Sequence, residues 1–161
     1  MIYWFTGQPG AGKTTLAVAL KRALKLRGLP VVHFDGEELR ALMDNHDFTE
    51  LGRRRNINTM QALAMKLHAE GIVVVTSFVS PYRQLREDFK QRESVLEIYV
   101  HTTAVRGREA LFAMGYEPPL EDFVDIDTTH AGVEECVRKI LEAAARRSDD
   151  LPDGSPPGPG D

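Results

Sequence analysis

The stretch Gly7-Gln8-Pro9-Gly10-Ala11-Gly12-Lys13-Thr14 fits the phosphate-binding loop pattern G-x-x-x-x-G-K-[ST], and its flanks suit that loop. Residues 1–6 form an apolar, β-prone run before it, and residues 15–24 form a strong helix-forming run after it. The backbone N–H groups of such a turn point inward at an anion, and the following helix adds its positive end. A glycine-rich turn without a ligand is the alternative, which these flanks disfavour. The stretch therefore predicts a nucleoside triphosphate site.

Two side chains of this loop are predicted to act on the phosphates or on a metal ion. Lys13 is expected to reach the β- and γ-phosphates and to assist the transfer, and the Thr14 hydroxyl is expected to ligate Mg²⁺. The residues predicted to bind the nucleotide are Gly7, Gln8, Pro9, Gly10, Ala11, Gly12, Lys13, Thr14 and Thr15.

The composition is typical of one globular domain. The chain has 161 residues, of which 42% are apolar and 27% charged. Its net charge of −4 disfavours bulk binding to nucleic acid or to a membrane surface. No apolar run reaches membrane-spanning length, and no signal peptide is expected before the first strand. The one cysteine, Cys136, cannot form an internal disulfide, so the predicted location is the cytoplasm.

Strands and helices alternate along the chain, which predicts a parallel sheet covered by helices. The expected fold is an α/β three-layer sandwich of the P-loop kinase type with a five-stranded parallel sheet. Predicted strands cover 1–6, 30–34, 72–76, 95–101 and 123–127, and predicted helices cover 15–24, 37–44, 56–70, 81–92, 104–114 and 133–147. The predicted domain is 1–147, and the Pro/Gly-rich tail 148–161 is predicted to be disordered.

Polar residues follow the first three predicted strands, where an open parallel sheet binds its ligands. They are Thr6, Asp35 and the segment 76–80. The guanine-specifying pattern N-K-x-D is absent, and no apolar strand ends in the Asp-Glu pair of hydrolysing ATPases. These absences from the sequence disfavour a GTPase and a motor ATPase, and a small-molecule kinase remains.

Asp35 is the leading candidate for catalysis, because it directly follows an apolar strand at this edge of the sheet. Its carboxylate could accept a proton from an attacking hydroxyl, or it could hold a water of the Mg²⁺ shell. Asp35 would also suit the N-cap of the helix predicted from Glu37. The cap and the catalytic role are compatible with each other.

Several further segments match the motifs of one family, in the same order. The segment 35–40 is similar to D-G-D-x-[VIL]-R, 48–59 to F-S-x-x-D-R-x-x-N-I-R-R, 79–86 to I-S-P-Y-R-x-x-R, and 97–102 to E-V-Y-V-D-T. The segments 116–119 and 126–128 are similar to P-Y-E-x-P and I-D-T. Over 2–142 the chain thus resembles the adenylylsulfate kinases, which use MgATP to phosphorylate the 3′-hydroxyl of adenosine 5′-phosphosulfate.

The resemblance implies a set of substrate contacts. Phe48 would stack on the substrate adenine, although its position alone slightly favours a core aromatic between two helices. Arg40, Arg53 and Asn56 would hold the phosphosulfate and the ribose. Ser80 occupies a position that has been assigned as a phosphoserine intermediate, and we favour a contact of its hydroxyl or backbone with substrate. The implied substrate-binding residues are Asp35, Arg40, Phe48, Arg53, Asn56, Ile57, Val79 and Ser80. The predicted catalytic residues are Lys13, Asp35 and Ser80, and the predicted metal-binding residues are Thr14 and Asp35.

The segment before Tyr116 departs from the family pattern. It is shorter, it lacks the lysine of K-G-L-Y, and it lacks the phenylalanine of F-T-G that closes the adenine site from the other side. Phe112 or Tyr116 could replace that phenylalanine. Arg106 and Arg108 remain as expected lid cations, which would bind ATP and stabilise the transferring phosphoryl group.

These observations leave three functional hypotheses. The first is an ATP-dependent kinase of adenosine phosphosulfate, which acts in sulfate assimilation on a small-molecule substrate. The second is a related phosphotransferase with another acceptor: a nucleotide, a nucleoside, a sugar, an antibiotic or a modified DNA base. The third is a nucleotide-binding regulatory protein without turnover, which the presence of Lys13, Thr14 and Asp35 disfavours. The resemblance also allows a homodimer.

Overall fold

The computed structural model describes residues 1–149, and the rest of the predicted tail, 150–161, lies outside the described residues. The strands are β1 (Ile2–Thr6), β2 (Val31–Asp35), β3 (Val73–Ser77), β4 (Val95–His101) and β5 (Phe123–Asp127). The helices are α1 (Lys13–Leu26), α2 (Gly36–Leu42), α3 (Glu50–Ala69), α4 (Arg83–Arg92) and α5 (Val133–Asp149). The last helix thus continues past 147, where the predicted domain ends.

The five strands form one parallel sheet in the order β2-β3-β1-β4-β5. This arrangement confirms the predicted fold class. From β1 the chain crosses to β2 at one edge, and from β3 it crosses back over β1 to β4. The carboxyl end of β1, from which the phosphate loop emerges, therefore lies at the topological switch point where such sheets bind ligands.

The alternating side chains of β1 build two cores, one on each face of the sheet. Tyr3 and Phe5 pack in the core that contains residues of α1 and α5. Ile2 and Trp4 pack in the core that contains residues of α3 and α4. On this second face the Trp4 ring lies 5.3 Å from the ring of Phe89, centroid to centroid, in an edge-on arrangement. The two cores give the molecule its three layers.

The helix predicted over 104–114 is wrong. Together with residues 115–117 this segment, which we call the lid, is a loop that contains a single 3₁₀ turn, Glu109–Leu111. Gly107 and Gly115 have positive φ angles of 75° and 72°, and the backbone N–H and C=O of Ala113 bond to the side chain of Gln8. At Ala113 the lid backbone is therefore satisfied by the phosphate loop instead of by helical partners.

Helix α3 begins at Glu50, well before the predicted start at residue 56. The Thr49 hydroxyl caps it by accepting the N–H of Gly52 at 3.3 Å. A Cβ atom on Gly52 would lie 2.3 Å from the carbonyl oxygen of Asp47, so only glycine lets the preceding loop pack this closely. Arg53 and Asn56 consequently lie within the helix.

A buried ion cluster joins α4 to the sheet. The Arg86 guanidinium donates to Glu97 through Nε at 2.6 Å, and the Lys90 ammonium lies 2.8 Å from the other Glu97 oxygen. Arg86 also donates to the carbonyl oxygens of Ser80 and Glu117. One buried side chain thus holds the turn after β3 and the end of the lid at fixed positions against β4.

We expect Arg86→Met to destabilise the fold by about 3–5 kcal/mol, because it leaves the Glu97 charge and two carbonyl groups buried without this donor. Urea denaturation measures the change. The matched control is Lys66→Met, which removes the exposed i,i+4 pair with Glu70 and is expected to cost less than about 0.5 kcal/mol. Equal losses in the two variants would contradict the role of the buried cluster.

Candidate active site

The phosphate loop begins directly after β1 at Gly7, where the neighbouring strand leaves no room for a side chain. Gly7 has φ 145°, and a Cβ atom there would lie 2.1 Å from the carbonyl oxygen of Val100 on β4. Gly12, with φ 102°, is the N-cap of α1 and has no side chain to bond the first-turn N–H groups. Those groups are therefore available to an anion at the positive end of the helix dipole.

The Lys13 side chain is buried and bends back over the loop. Its ammonium donates to the carbonyl oxygen of Gln8 at 2.8 Å. Burial lowers the pKa of Lys13 to about 8, with the carboxylate of Asp35 opposing this shift and the guanidinium of Arg108 adding to it. A cation that is held out of water in this way gains from a phosphate placed beside it.

We expect nucleotide binding to take up a proton in the alkaline range. Phosphate charge raises the pKa of Lys13 above its ligand-free value of about 8, so affinity for ADP is full below that pH and falls as the pH rises through it. Titration calorimetry near pH 9 in buffers of different ionisation enthalpy measures the uptake, which approaches about one proton per site. Lys13→Arg should take up none, because guanidinium does not titrate there. Equal uptake by both proteins would contradict the assignment.

Asp35 ends β2 beside the loop and accepts hydrogen bonds on both carboxylate oxygens. Oδ2 accepts the hydroxyls of Thr14 at 2.7 Å and of Ser77 at 2.8 Å, and Oδ1 accepts the N–H of Glu37 at 2.9 Å. The predicted N-cap of α2 is therefore present together with the predicted contact to the phosphate loop. The Thr14 hydroxyl and the Asp35 carboxylate form the oxygen pair expected at a Mg²⁺ site.

The electrostatic setting makes Asp35 a weak base. Although burial alone raises the pKa of Asp35, the hydrogen bonds from Thr14, Ser77 and Glu37 outweigh it and lower the pKa below its ordinary value. A carboxylate that is stabilised in its charged form accepts a substrate proton poorly and orients a cation or its water well. The geometry therefore favours the metal-shell role over the base.

The two predicted lid cations occupy different places. The Arg106 guanidinium donates to the carbonyl oxygens of Gly10, Ala11 and Thr128, so it supports the phosphate loop from outside. Arg108 lies beside Gly10 and pairs with the carboxylate of Glu37 at 2.9 Å. Arg108 is the cation of the lid that the structure places across the phosphate loop.

A second cleft of about 510 Å³ lies between α3 and the lid. Its walls combine aromatic, apolar and charged side chains. They are Phe48, Glu50, Arg53, Arg54, Tyr82, Phe112, Met114, Gly115 and Glu117. Arg54 and Tyr82 are absent from the predicted set, and the Arg54 guanidinium lies 4.4 Å from the centroid of the Tyr82 ring. From the sequence alone, Arg54 suits a solvated face equally well.

Of the predicted substrate residues, Phe48 and Arg53 line this cleft, whereas Arg40 and Asn56 do not. Phe48 is 62% exposed, which excludes the core-aromatic alternative, and the Arg40 guanidinium stacks 4.4 Å from its ring centroid. Burial and the neighbouring Arg53 lower the pKa of Arg40, so two cations lie close together. Asn56 is buried, and its Oδ1 has no hydrogen-bond partner within residues 1–149. An unpaired buried amide oxygen and adjacent arginines are features of a polar ligand site.

Three predicted contacts lie deeper in the molecule. Ile57 packs in the core beside Trp4. The carbonyl oxygen of Val79 accepts the Thr6 hydroxyl at 2.8 Å. Ser80 is 2% exposed, has φ 48°, and its hydroxyl accepts the indole N–H of Trp4 at 3.2 Å. In this arrangement the Ser80 hydroxyl bonds inside the protein and does not open onto the cleft, so its catalytic role stays a prediction.

The structure separates the two candidates for the second aromatic wall. Phe112 lines the same cleft as Phe48. The Tyr116 hydroxyl pairs with that of Thr6 at 2.8 Å, and its ring stacks on Tyr99 at a centroid distance of 6.1 Å. Burial accordingly raises the pKa of Tyr116. Phe112 is the residue placed to replace the missing phenylalanine.

Residues 1–132 match the family described as adenylylsulphate kinase. This chain belongs to that family. The match confirms the resemblance found in the sequence motifs and the predicted enzyme class, an ATP-dependent phosphotransferase. It also places the phosphate loop, Asp35 and the lid cations in one family domain.

Known proteins agree with this assignment over most of the chain. The adenylyl-sulfate kinase of Chloroflexus aurantiacus is 34% identical, and the alignment covers 91% of this chain and 89% of the relative. The adenylyl-sulfate kinase of Vibrio cholerae is 32% identical over 91% of this chain and 78% of its own length. The Mycobacterium tuberculosis APS kinase, solved in complex with AMPPNP and APS, has the same fold, with a TM-score of 0.78, 19% identity, and coverage of 89% of this chain and 96% of that one.

Within residues 1–149, no helix is long and apolar enough to cross a membrane.

Proposed function

We propose that this protein transfers the γ-phosphate of ATP to the 3′-hydroxyl of adenosine 5′-phosphosulfate (APS) and so forms 3′-phosphoadenosine 5′-phosphosulfate. The observation that carries the proposal is the pairing of two sites. A phosphate loop with a buried lysine adjoins a cleft that combines aromatic side chains with arginines. The family membership supports the same reaction.

The nucleotide half of the site fits ATP with Mg²⁺. The first-turn N–H groups of α1 and the Lys13 ammonium would hold the phosphates. Thr14 and Asp35 would hold Mg²⁺ or its waters, because Mg²⁺ prefers a few protein oxygens together with phosphate oxygens. Bound Mg²⁺ neutralises charge on the phosphates. Arg108 would exchange its exposed partner Glu37 for the γ-phosphate.

The acceptor half fits an anionic nucleotide. Adjacent cations repel one another unless an anion lies between them, so Arg40 and Arg53 favour a phosphosulfate group. Phe48 and Phe112 are two aromatic side chains that line one cleft, which suits a flat base. Asn56 offers an unpaired oxygen to a hydroxyl or an amino group.

The proposed chemistry needs little proton abstraction. Phosphoryl transfer proceeds through a loose transition state, so positioning and charge stabilisation supply most of the acceleration. We infer that Asp35 orients the metal shell, that Lys13 and Arg108 stabilise the transferring group, and that Phe48 aligns the acceptor.

The localisation remains a prediction, namely the cytoplasm.

The deciding experiment measures ADP formation from MgATP with and without APS. We expect saturable turnover that requires APS and falls by at least about 10²-fold in Asp35→Ala. The control is Glu70→Ala, which removes an exposed carboxylate at the C-cap of α3, outside both sites, and should behave as wild type. Tight Mg·ADP binding without stimulation by APS would overturn the proposed acceptor and lead to the other acceptors that the sequence leaves open.

The second aromatic wall provides a further prediction. Phe112→Ala should raise KM for APS by about tenfold and leave KM for ATP unchanged, since one base-stacking partner is worth about 1–3 kcal/mol. The control is Leu111→Ala, because Leu111 is exposed in the same lid but does not line the cleft. An unchanged KM for APS in Phe112→Ala would show that the lid serves another purpose.

We also propose that two copies associate through the groove between α1 and α5. This apolar groove of about 950 Å³ exposes Leu26 and Val133. Its α1 wall contains Arg22 and the C-cap residue Arg27, while its α5 wall contains Glu134 together with the paired side chains of Arg138 and Glu142. A two-fold axis would place Arg22 and Arg27 of each copy near Glu134 of the other copy.

Sedimentation at increasing concentration tests this association. We expect a dimer of wild type and a monomer of Leu26→Glu, because a buried charge opposes the contact. Leu42→Glu is the control, since Leu42 is equally exposed (83%, against 81% for Leu26) but lies on α2. A monomeric wild type at every concentration would contradict the dimer.

A further inference from the structure

We propose that His33 is a positioning residue, which holds Asp35 in place through the hydroxyl of Ser77. His33 Nε2 lies 2.8 Å from Ser77 Oγ, and Ser77 Oγ lies 2.8 Å from Asp35 Oδ2. This inference rests on the metal-binding part of the proposed function, and it is independent of the acceptor. No motif of the sequence singles out His33.

The sheet geometry explains how the three side chains meet. His33 and Asp35 are two residues apart on β2, so they lie on the same face of the sheet. In the parallel pairing of β2 with β3, Asp35 is the register partner of Ser77. Ser77 is 3% exposed, whereas His33 is half-buried on β2, which is an edge strand of the sheet.

The direction of the hydrogen bonds assigns the tautomer of His33. The single proton of the Ser77 hydroxyl is donated to the Asp35 carboxylate, so the oxygen of Ser77 can only accept from the imidazole. His33 must therefore carry its proton on Nε2.

The chain of donors has a definite effect on Asp35. A hydroxyl that accepts a hydrogen bond becomes a better donor, so His33 strengthens the contact from Ser77 to Oδ2. That oxygen also receives the Thr14 hydroxyl, the other group expected at the metal. A group that hydrogen-bonds to a metal-binding carboxylate without touching the metal typically sets the orientation of that carboxylate. The expected role of His33 is to keep Asp35 aligned with Thr14.

Nitrogen NMR of the ligand-free protein tests the hydrogen-bond chain directly. We expect Nε2 of His33 to carry a proton in wild type, and we expect a changed Nε2–H signal in Ser77→Ala, where the acceptor is missing. A predominant Nδ1–H tautomer in wild type would overturn the proposal. This measurement needs neither nucleotide nor metal.

Calorimetry of ADP binding with and without Mg²⁺ tests the consequence. In His33→Leu the gain in affinity due to Mg²⁺ should shrink by about 3- to 10-fold, whereas metal-free ADP affinity stays the same. His33→Gln, whose amide can donate, should recover at least part of the gain. Adding His33→Leu to Ser77→Ala should have no additional effect, because His33 acts through Ser77. Thermal melts confirm that each variant is folded.

The outcomes separate this inference from the proposed function. If wild-type affinity for ADP does not depend on Mg²⁺, the metal part of the proposed function fails, and this inference fails with it. If wild type depends on Mg²⁺ but His33→Leu is unchanged, only the role of His33 is overturned. That role is also overturned if His33→Leu weakens metal-free ADP binding equally, or if its effect adds to that of Ser77→Ala.

Discussion

The contact of the Gly7 backbone with the carbonyl oxygen of Val100 is the constraint on which the site depends. Because no side chain intervenes, the loop turns directly off β1 and lies against β4 at the switch point of the sheet. The first turn of α1 then faces the carboxyl ends of β1, β2 and β3. This arrangement brings together the side chains of Lys13, Thr14 and Asp35.

The short lid is held in place by hydrogen bonds to other parts of the protein and not by the backbone hydrogen bonds of a helix. Gln8 bonds both backbone groups of Ala113, Arg106 bonds three carbonyl oxygens, and Arg86 anchors the end of the segment at Glu117. These ties place Phe112 over the cleft and Arg108 over the phosphate loop. A loop of this size can thus supply both a cation and an aromatic wall, one to each half of the site.

Local sequence patterns predict most of the helices and strands, and each wrong prediction has a physical reason. The strands and α1 follow from apolar runs bounded by glycine and proline, which act over a few residues. The start of α3 escapes prediction because its cap depends on Thr49 and on the packing of Gly52 against Asp47. The lid sequence predicts a helix because Gly107 breaks the pattern only weakly, whereas its real partner, Gln8, is distant in sequence.

The sequence by itself predicted the nucleotide half of the site, and it determined the sheet and the family, because these depend on backbone conformation and spacing within short motifs. Only the tertiary structure decided that Phe112 and not Tyr116 lines the cleft with Phe48, that Arg54 and Tyr82 line it too, and that His33 reaches Ser77. Each of these depends on distances between segments that are remote along the chain. Such distances are set by how the two cores pack on the sheet, and no single segment encodes them.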